Sequence, residues 1–235
     1  MINSKRRQSE CWGEPKDEEI KLVLLGACRV GKTAIVNQYL TGEFMEYYKP
    51  TDEEVNWIEY ESGAGDQVVV KIIDHSGSAE FLAMKDLYVS TADAFLLVCS
   101  LDCPASLAHT EQLLWQIQTH NQRAPTVLAI NKLDLLDSPH DYSRSILAPF
   151  NPSAAKHFLS SAHRLSEKYQ VPLFQTSARS SASVATAFNR LLQMSARIGP
   201  PCQWTKRRQS MPTHVYPAKA QMADKDKRSN SCVLS

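Results

Sequence analysis

The fold of this chain is decided by the stretch Gly26-Ala27-Cys28-Arg29-Val30-Gly31-Lys32-Thr33. It reads G-x-x-x-x-G-K-T, the pattern of a phosphate-binding loop. Glycines let the backbone turn so that successive N–H groups point at phosphate oxygens, and the helix that follows presents its positive end to the same anion. In such a loop the lysine reaches the β- and γ-phosphates, and the threonine hydroxyl holds Mg²⁺.

The residues on either side of the loop supply the context that the motif requires. A short apolar run, Ile20–Leu25, predicts a buried strand, and Ala34–Leu40 predicts the start of a helix. A strand, a glycine-rich loop and a helix in this order favour a phosphate site over a chance turn. We therefore predict that the segment from Gly26 to Ala34 binds a nucleotide.

Composition limits what else the chain can be. It has 235 residues, of which 43% are hydrophobic and 22% charged, and this suits one globular domain with tails. The net charge of +1 argues against a nucleic-acid partner for the chain as a whole. The sequence has no apolar run of membrane-spanning length, no secretory signal pattern, and six cysteines without metal or disulfide spacing. We expect a cytosolic chain with reduced thiols.

The two ends of the chain share a phosphorylation-like string. Residues 1–19 are charged and lack periodicity, which predicts a disordered extension, and residues 200–235 carry seven Lys/Arg and two Asp, a net +5. The string K-R-R-Q-S ends at Ser9 and again at Ser210. Arginines at −3 and −2 suit basophilic kinases, and the second copy continues Met211-Pro212, similar to a phosphoserine ligand of 14-3-3 proteins. The alternative is two solvated basic tails.

A hairpin leads into a second phosphate-facing loop. Two β-rich runs, Val55–Tyr60 and Val68–Ile73, flank the turn at 63–66 and predict antiparallel strands. The second run continues into Asp74-His75-Ser76-Gly77. Its carboxylate can hold a Mg²⁺-bound water while the glycine backbone meets the γ-phosphate; a turn cap is the alternative reading of the aspartate.

The tetrad Asn131-Lys132-Leu133-Asp134 follows a predicted strand at Thr126–Ile130. A carboxylate at Asp134 can accept hydrogen bonds from both N1–H and N2–H₂ of guanine, and adenine offers no such pair. Asn131 can meet the N7/O6 side of the base, and the aliphatic stem of Lys132 can lie along the ring. The tetrad therefore predicts selectivity for guanine.

The remaining elements alternate between strands and helices. This alternation predicts an α/β fold with a six-stranded, mostly parallel sheet covered by helices on both faces, in a domain at 20–199. The remaining predicted elements are a strand at Ala94–Cys99, a helix at Ser106–His120, an extended loop at Leu135–Pro152, a helix at Ser153–Tyr169, a strand opening at Pro172–Phe174 and a helix at Val184–Ile198.

In this order and at these intervals, the motifs resemble those of Ras-like small GTPases over residues 20–199 and the last four residues. The resemblance implies a P-loop NTPase G domain. It also implies a monomeric switch that binds GTP or GDP with Mg²⁺ and whose γ-phosphate orders two loops. The roles it implies are guanine packing for Phe44, first-switch positions for Tyr48 and Thr51 with Thr51 on Mg²⁺, the second-switch start for Asp74 and Gly77, base recognition for Asn131, Lys132 and Asp134, and contact with guanine O6 for Ser177 and Ala178, next to Arg179 where the family usually has lysine.

Departures from the family pattern affect hydrolysis and partners. The family usually has Gly-Gly at Cys28-Arg29 and glutamine at Ser78. Serine is too short to orient the attacking water, and a side chain at position 28 crowds the space for an activator's arginine finger, which is worth about 10³–10⁵ in rate. We expect slow GTP hydrolysis by a small GTPase, and effectors bound through Tyr48–Asn56 and the second switch that differ from those of Ras.

Other readings stay open. Hydrolysis could be normal if Arg29 or an activator residue substitutes for the glutamine. A GTP-bound interaction scaffold that never cycles, controlled by phosphorylation and membrane release, is the alternative function. An ATP-using phosphotransferase is disfavoured because Asp134 suits guanine and the sequence offers no substrate-base constellation.

The chain ends in Cys232-Val233-Leu234-Ser235, a C-a-a-X box whose terminal serine favours farnesylation of Cys232. One lipid binds membranes only marginally, and the basic tail supplies the second signal, at about 1 kcal/mol for each Lys/Arg near an anionic surface. We expect the protein at the cytoplasmic face of the plasma membrane, with a cytosolic pool. Phosphate on Ser210 would offset part of the tail charge and offer a 14-3-3 ligand that masks the lipid.

Overall fold

The computed structural model describes residues 18–46, 53–62, 67–75, 82–137, 152–195 and 204–208. In chain order its elements are β1 (Glu18–Leu25), α1 (Lys32–Thr41), β2 (Glu53–Ser62), β3 (Gln67–His75), α2 (Leu82–Thr91), β4 (Ala94–Ser100), α3 (Ala105–His120), β5 (Thr126–Asn131), a 3₁₀ turn (Leu133–Leu136), α4 (Pro152–Tyr169), β6 (Leu173–Gln175), α5 (Ser181–Met194) and β7 (Trp204–Arg208).

The strands form one sheet in the order β6-β5-β4-β1-β3-β2-β7. All neighbours from β6 to β3 pair in parallel, and β2 pairs antiparallel with both β3 and β7. The predicted α/β fold is confirmed, with the six predicted strands in a mostly parallel sheet. The predicted hairpin is formed by β2 and β3, and its turn lies outside the described residues.

Strand β7 was not predicted. Its residues were assigned to the basic tail that begins at residue 200, but Trp204 pairs with Ser62 and Arg208 with Ile58 on the outer edge of the sheet. An edge strand presents unpaired N–H and C=O groups, which an extended segment can satisfy. The sheet therefore reaches beyond the predicted domain boundary at residue 199.

Four smaller differences separate the observed elements from the predicted ones. Helix α2 was not predicted, and α5 begins at Ser181 because Ser180 caps it by accepting from the Ser183 backbone N–H, and ends at Met194 rather than Ile198. The predicted loop at Leu135–Pro152 overlaps the 3₁₀ turn at its start. Pro152 is the first residue of α4, a position at which a helix has no internal partner for the backbone N–H, so that the missing N–H of proline costs nothing. Strand β1 starts at Glu18, and the predicted disorder of the preceding residues lies outside the described part of the chain.

The sheet is buried between two apolar layers. One face packs against α1 and α5, and the other packs against α2, α3 and α4. Strand β1 shows how the sequence fills both layers, because alternate residues point to opposite faces: Ile20, Leu22 and Leu24 join one core, and Val23 and Leu25 the other. The prediction of helices on both faces is confirmed.

The five mutually parallel strands end at one edge of the sheet. Loops that follow β1, β3, β5 and β6 therefore converge there, as ligand sites do in open α/β sheets. No helix in the described ranges is long and apolar enough to cross a membrane.

Candidate nucleotide-binding site

The phosphate loop lies between β1 and α1 and depends on two glycines. Gly26 has φ +152°, and a Cβ there would lie 2.1 Å from the Val98 carbonyl oxygen. Gly31 has φ +95°, and its Cβ would lie 2.4 Å from Nδ2 of Asn131. Side chains at either position would meet protein atoms in a backbone conformation that L-residues rarely adopt. The loop therefore needs glycine at both of its ends.

Lys32 is the first residue of α1 and is buried against the loop. Its Nζ donates to the carbonyl oxygens of Gly26 at 3.1 Å and Ala27 at 2.9 Å. Burial lowers the pKa of this ammonium, while the charges of Asp74 and Cys28 oppose that shift. The fold thus holds a cation inside the loop where the motif expects phosphate. Ala34, also predicted to contact the nucleotide, is the third residue of α1 and lies in the same first helical turn as Lys32.

Thr33 and Asp74 meet across the site. The Thr33 hydroxyl donates to Oδ2 of Asp74, at the end of β3. The other oxygen of this carboxylate, Oδ1, is buried with no hydrogen-bond partner among the described residues. Burial raises the pKa of Asp74 to about 6, although the Thr33 hydrogen bond and the Lys32 charge lower it. An orphaned carboxylate oxygen beside a hydroxyl fits a hard, oxygen-binding cation such as Mg²⁺.

No group of three or more His, Cys, Asp or Glu side chains gathers into a metal cage within the described ranges. A Mg²⁺ site does not need such a cage, because the ion is usually held by one or two protein oxygens together with water and substrate phosphates. Thr51, the other predicted metal residue, lies outside the described residues. The donor set that can be described is therefore Thr33 and Asp74.

Asn131 joins the phosphate loop to the loop after β6. It is buried, its Nδ2 donates to the Val30 carbonyl oxygen at 2.9 Å, and its Oδ1 accepts from the Ala178 backbone N–H at 3.1 Å. The sequence predicts a contact between this side chain and the N7/O6 side of guanine. In the structure both of its polar atoms have backbone partners on two different loops, and the contact with guanine stays a prediction. Its main contribution is to fix the spacing of the phosphate and base ends of the site.

Lys132 makes a second tie between these loops. Its backbone is left-handed, with φ 63°, and its Nζ donates to the Arg29 carbonyl oxygen at 2.9 Å and to Oδ2 of Asp102 at 2.7 Å. These contacts draw the aliphatic stem across the site, as expected for a residue that lies along a base. Asp102 follows β4 and was missed by the sequence analysis, because it belongs to no motif.

The predicted guanine-reading residues come together around Asp134. Ser177 Oγ donates to Asp134 Oδ1 at 2.6 Å, and Nε of Arg179 lies 3.6 Å from Oδ2. The Arg179 guanidinium carbon also lies 4.5 Å from the ring centroid of Phe44. Ser183 supports this arrangement, since its hydroxyl accepts from the Ser177 backbone N–H at 3.1 Å; its position was not singled out from sequence. Phe44, Asp134, Ser177 and Arg179 are therefore neighbours in space.

Several predicted site residues cannot be placed. The first-switch positions, the second-switch positions after Asp74, the phosphorylation candidates and the lipidation site lie outside the described residues: Tyr48, Thr51, Gly77, Ser78, Ser9, Ser210 and Cys232. The structure brings together the phosphate loop, Asp74, Phe44, the Asn131–Asp134 tetrad and Ser177–Arg179.

A phosphate loop after the first strand and a carboxylate-bearing N-K-x-D tetrad after β5 define the class of P-loop G domains. A sequence model of the Ras family matches residues 21–197. The chain is also 31% identical over 154 residues to the Ras-related protein rapC of Dictyostelium discoideum, a match that covers 64% of this chain and 55% of that protein. The chain thus spans little more than half of that relative. It belongs to the Ras family.

Proposed function

We propose that this protein is a GTP-binding switch that uses Mg²⁺ and hydrolyses GTP slowly. The observation that carries the proposal is the pair of loops clamped by Asn131, with the ammonium of Lys32 at one end and the carboxylate of Asp134 at the other. This spacing suits a nucleotide with its phosphates on the first loop and its base on the second. Family membership supports the same reading.

Recognition of guanine is assigned to Asp134. Its Oδ1 accepts a hydrogen bond from Ser177, and a carboxylate has about four lone-pair sites, so the same group can also accept from the N1–H and N2–H₂ of the base. The Ser177 hydroxyl and the Arg179 guanidinium beside the carboxylate hold it at the base end of the site, and an ionised carboxylate accepts hydrogen bonds without donating. Phe44 and the stem of Lys132 supply apolar surface for the ring.

Mg²⁺ is assigned to Thr33, to Asp74 through a bound water, and to Thr51. When bound, it neutralises charge on the β- and γ-phosphate oxygens. The protein contributes a hydroxyl and a buried carboxylate fixed in advance by their mutual hydrogen bond. Lys32 adds a second positive charge within the phosphate loop.

Slow hydrolysis is inferred from Cys28, Arg29 and Ser78. Cys28 is exposed on the phosphate loop, so its side chain stands where an activator would approach. Arg29 holds a left-handed backbone at φ 63°, a conformation for which the family's glycine is better suited. Ser78 lacks the reach of glutamine toward an attacking water.

Single-turnover hydrolysis of radiolabelled GTP tests this function. We expect the wild-type rate to fall below about 10⁻⁴ s⁻¹, slower than intrinsic Ras hydrolysis, and Ser78→Gln to raise it about tenfold or more. Ser78→Ala is the matched control and should leave the rate unchanged. A wild-type rate typical of Ras would refute slow hydrolysis, and failure to bind GTP or GDP at all would refute the switch itself.

The same departures at Cys28 and Ser78 favour a second candidate, a GTP-bound scaffold that does not cycle. A rate below about 10⁻⁴ s⁻¹ gives bound GTP a half-life of about two hours or more, so the nucleotide extracted from purified protein in Mg²⁺ is followed over days to separate the two functions. GTP that persists over days supports the scaffold, and accumulating GDP supports the cycling switch.

Membrane attachment and partners follow from the tail and from family membership. We assign farnesylation to Cys232, attraction to anionic lipid to the basic tail, effector binding to Tyr48–Asn56 with the second switch, and a 14-3-3 ligand to phosphorylated Ser210. The protein would then reside at the cytoplasmic face of the plasma membrane. Binding of the farnesylated protein to vesicles with and without anionic lipid, beside Cys232→Ser, tests the attachment. Equal binding of both proteins would contradict it.

A further inference from the structure

Asp102 lies in the short turn between β4 and α3, and this turn is hydrogen-bonded to its neighbours on both sides. The Leu101 backbone N–H donates to the carbonyl oxygen of Asn131, the last residue of β5, at 3.3 Å. The hydroxyl of Ser106, in the first turn of α3, accepts from the Ser100 N–H at 3.0 Å. The backbone that carries the Asp102 carboxylate is therefore fixed relative to β5 and to α3.

Both oxygens of this carboxylate have partners. Oδ1 accepts from the Ser100 hydroxyl at 2.5 Å, and Oδ2 accepts from the Nζ of Lys132 at 2.7 Å. The side chains of Asp102 and Lys132 are each 27% exposed, so that the ion pair is partly shielded from solvent. A lysine ammonium ends a flexible four-carbon stem and can take many positions. The carboxylate selects one of these positions.

At that position the ammonium holds the middle of the phosphate loop. Its second acceptor is the Arg29 carbonyl oxygen, at 2.9 Å. A trans peptide unit is planar, so its C=O and N–H point in opposite directions. Because the Val30 N–H shares a peptide unit with the Arg29 carbonyl, Lys132 directs this N–H away from itself. Asn131 does the same one residue later, since its Nδ2 holds the Val30 carbonyl oxygen at 2.9 Å and thereby directs the Gly31 N–H.

Two successive N–H groups of the phosphate loop are thus oriented by side chains of the N-K-x-D tetrad. Successive N–H groups that share a direction form an anion-binding concavity. The amide of Asn131 is buried, whereas the ammonium of Lys132 is partly exposed and takes its place from Asp102. We propose that Asp102 is a positioning residue that slows nucleotide release by holding Lys132 on the Arg29 carbonyl. The inference rests on the proposed function, in which the two loops bind the phosphates and the base of a guanine nucleotide.

Release of a fluorescent GDP analogue from the full-length protein tests this role. We expect Asp102→Ala to release the nucleotide about fivefold faster than wild type, which corresponds to an ion pair worth about 1 kcal/mol. Asp102→Asn keeps the size of the side chain and an acceptor for the Ser100 hydroxyl but removes the charge. It should accelerate release about threefold, and it keeps the test decisive if Asp102→Ala does not fold.

The same fold contains a matched control. Glu111 of α3 also forms an ion pair with a lysine, Lys168 of α4, with 2.6 Å between Oε1 and Nζ. This pair joins two helices on one face of the sheet and contacts neither loop of the site. Glu111→Ala should therefore release the nucleotide at the wild-type rate. The urea midpoints of nucleotide-free Asp102→Asn and Glu111→Ala should be similar, because partly exposed ion pairs contribute little to stability.

A double-mutant cycle separates positioning through Lys132 from a general structural effect. Lys132→Met removes the ammonium and keeps an unbranched, apolar stem that can lie along a base. If Asp102 acts through the ammonium, then adding Asp102→Ala to Lys132→Met should change the release rate less than about twofold, whereas independent effects would multiply.

Three results would count against this role. Release from Asp102→Ala and Asp102→Asn at the wild-type rate, or a fivefold acceleration by Asp102→Ala that persists in the Lys132→Met background, would overturn the inference and leave the proposed switch intact. A wild-type protein that binds neither GTP nor GDP would refute the proposed function, and the inference with it.

Discussion

Asn131 offers a direct test of how the site is held together. We predict that Asn131→Ala weakens nucleotide binding as well as stability, because this side chain bridges the phosphate loop and the loop after β6. The substitution leaves the Val30 carbonyl oxygen and the Ala178 N–H without their partner at the protein interior. Each buried backbone group left unsatisfied costs about 1–3 kcal/mol.

The magnitude follows from these two contacts. We expect the free energy of unfolding to fall by about 2–4 kcal/mol, since two groups lose partners and the amide volume is left empty. The loops must then be ordered by the nucleotide itself. If about 2 kcal/mol of that cost is transferred to binding, nucleotide affinity falls about 30-fold.

A matched control lies elsewhere in the same fold. Asn121, at the end of α3, also uses Nδ2 to hold two backbone carbonyl oxygens, those of Val89 at 3.0 Å and Ala92 at 2.9 Å. Asn121→Ala should therefore lower stability by about 1–3 kcal/mol but leave nucleotide binding unchanged, because these contacts join α3 to α2 and not the two site loops.

Urea denaturation of each protein and release of a fluorescent GDP analogue measure the two effects separately. The reasoning predicts that Asn131→Ala and Asn121→Ala are similar in stability and different in the rate of nucleotide release. Equal release rates would show that the clamp does not position the site. A stability loss below about 0.5 kcal/mol for Asn131→Ala would show that the two hydrogen bonds are not maintained in solution.

Two further predictions concern the loop glycine and the buried carboxylate. Gly26→Ala should lower the free energy of unfolding by about 3 kcal/mol or more in chemical denaturation, because its Cβ would lie 2.1 Å from a backbone oxygen. Gly42→Ala is the control: its φ is +74° but nothing lies within 4 Å of the added Cβ, so it should cost about 1 kcal/mol. Equal losses of stability in the two variants would contradict the close approach at Gly26. Because the folded-state pKa of Asp74 is raised from 3.8 to about 6, its contribution to stability is present at low pH and lost as the pH rises through about 6. Between pH 4.5 and 7.5, the free energy of unfolding of nucleotide-free protein in EDTA should therefore fall by about 2 kcal/mol relative to that of Asp74→Asn. If the difference in free energy of unfolding between the two proteins does not change with pH, this linkage is excluded.

The parts of the fold that could be predicted from sequence are those with a local cause. The phosphate loop and the N-K-x-D tetrad each require residue types at fixed short spacing. The loop follows β1, in which Leu22–Leu25 are buried, and the tetrad follows β5, which is buried throughout. The strands and the candidate site residues near them were therefore found together.

Helix α2 was missed for a physical reason. Met84 is 38% exposed and Leu87 50% exposed, while Val89 is buried, so the apolar residues of this short helix do not form one stripe. Periodicity detects a helix only when its buried face is apolar and its other face polar. The helix is stabilised by its place on the sheet more than by its own pattern.

Strand β7 and Asp102 were missed because their partners are distant in sequence. Trp204–Arg208 has neither the length nor the apolar alternation of a buried strand, and it exists as a strand only because β2 offers an edge. Asp102, which follows β4, forms an ion pair with the Nζ of Lys132, which follows β5. Neither contact leaves a signal in the local sequence.

Arg179 shows how a departure from the family pattern can be accommodated by its surroundings. Lysine, usual at this position, would bring a point charge near Asp134, whereas the guanidinium of arginine is charged, planar and able to stack on an aromatic ring. Arg179 approaches the carboxylate and also lies over a ring: its Nε is 3.6 Å from Asp134 Oδ2, and its guanidinium carbon is 4.5 Å from the Phe44 ring centroid. The substitution therefore links the aromatic residue after α1 to the carboxylate assigned to guanine. Replacing lysine by arginine here adds a contact across the base end of the site, and this contact depends on Phe44 being an aromatic residue.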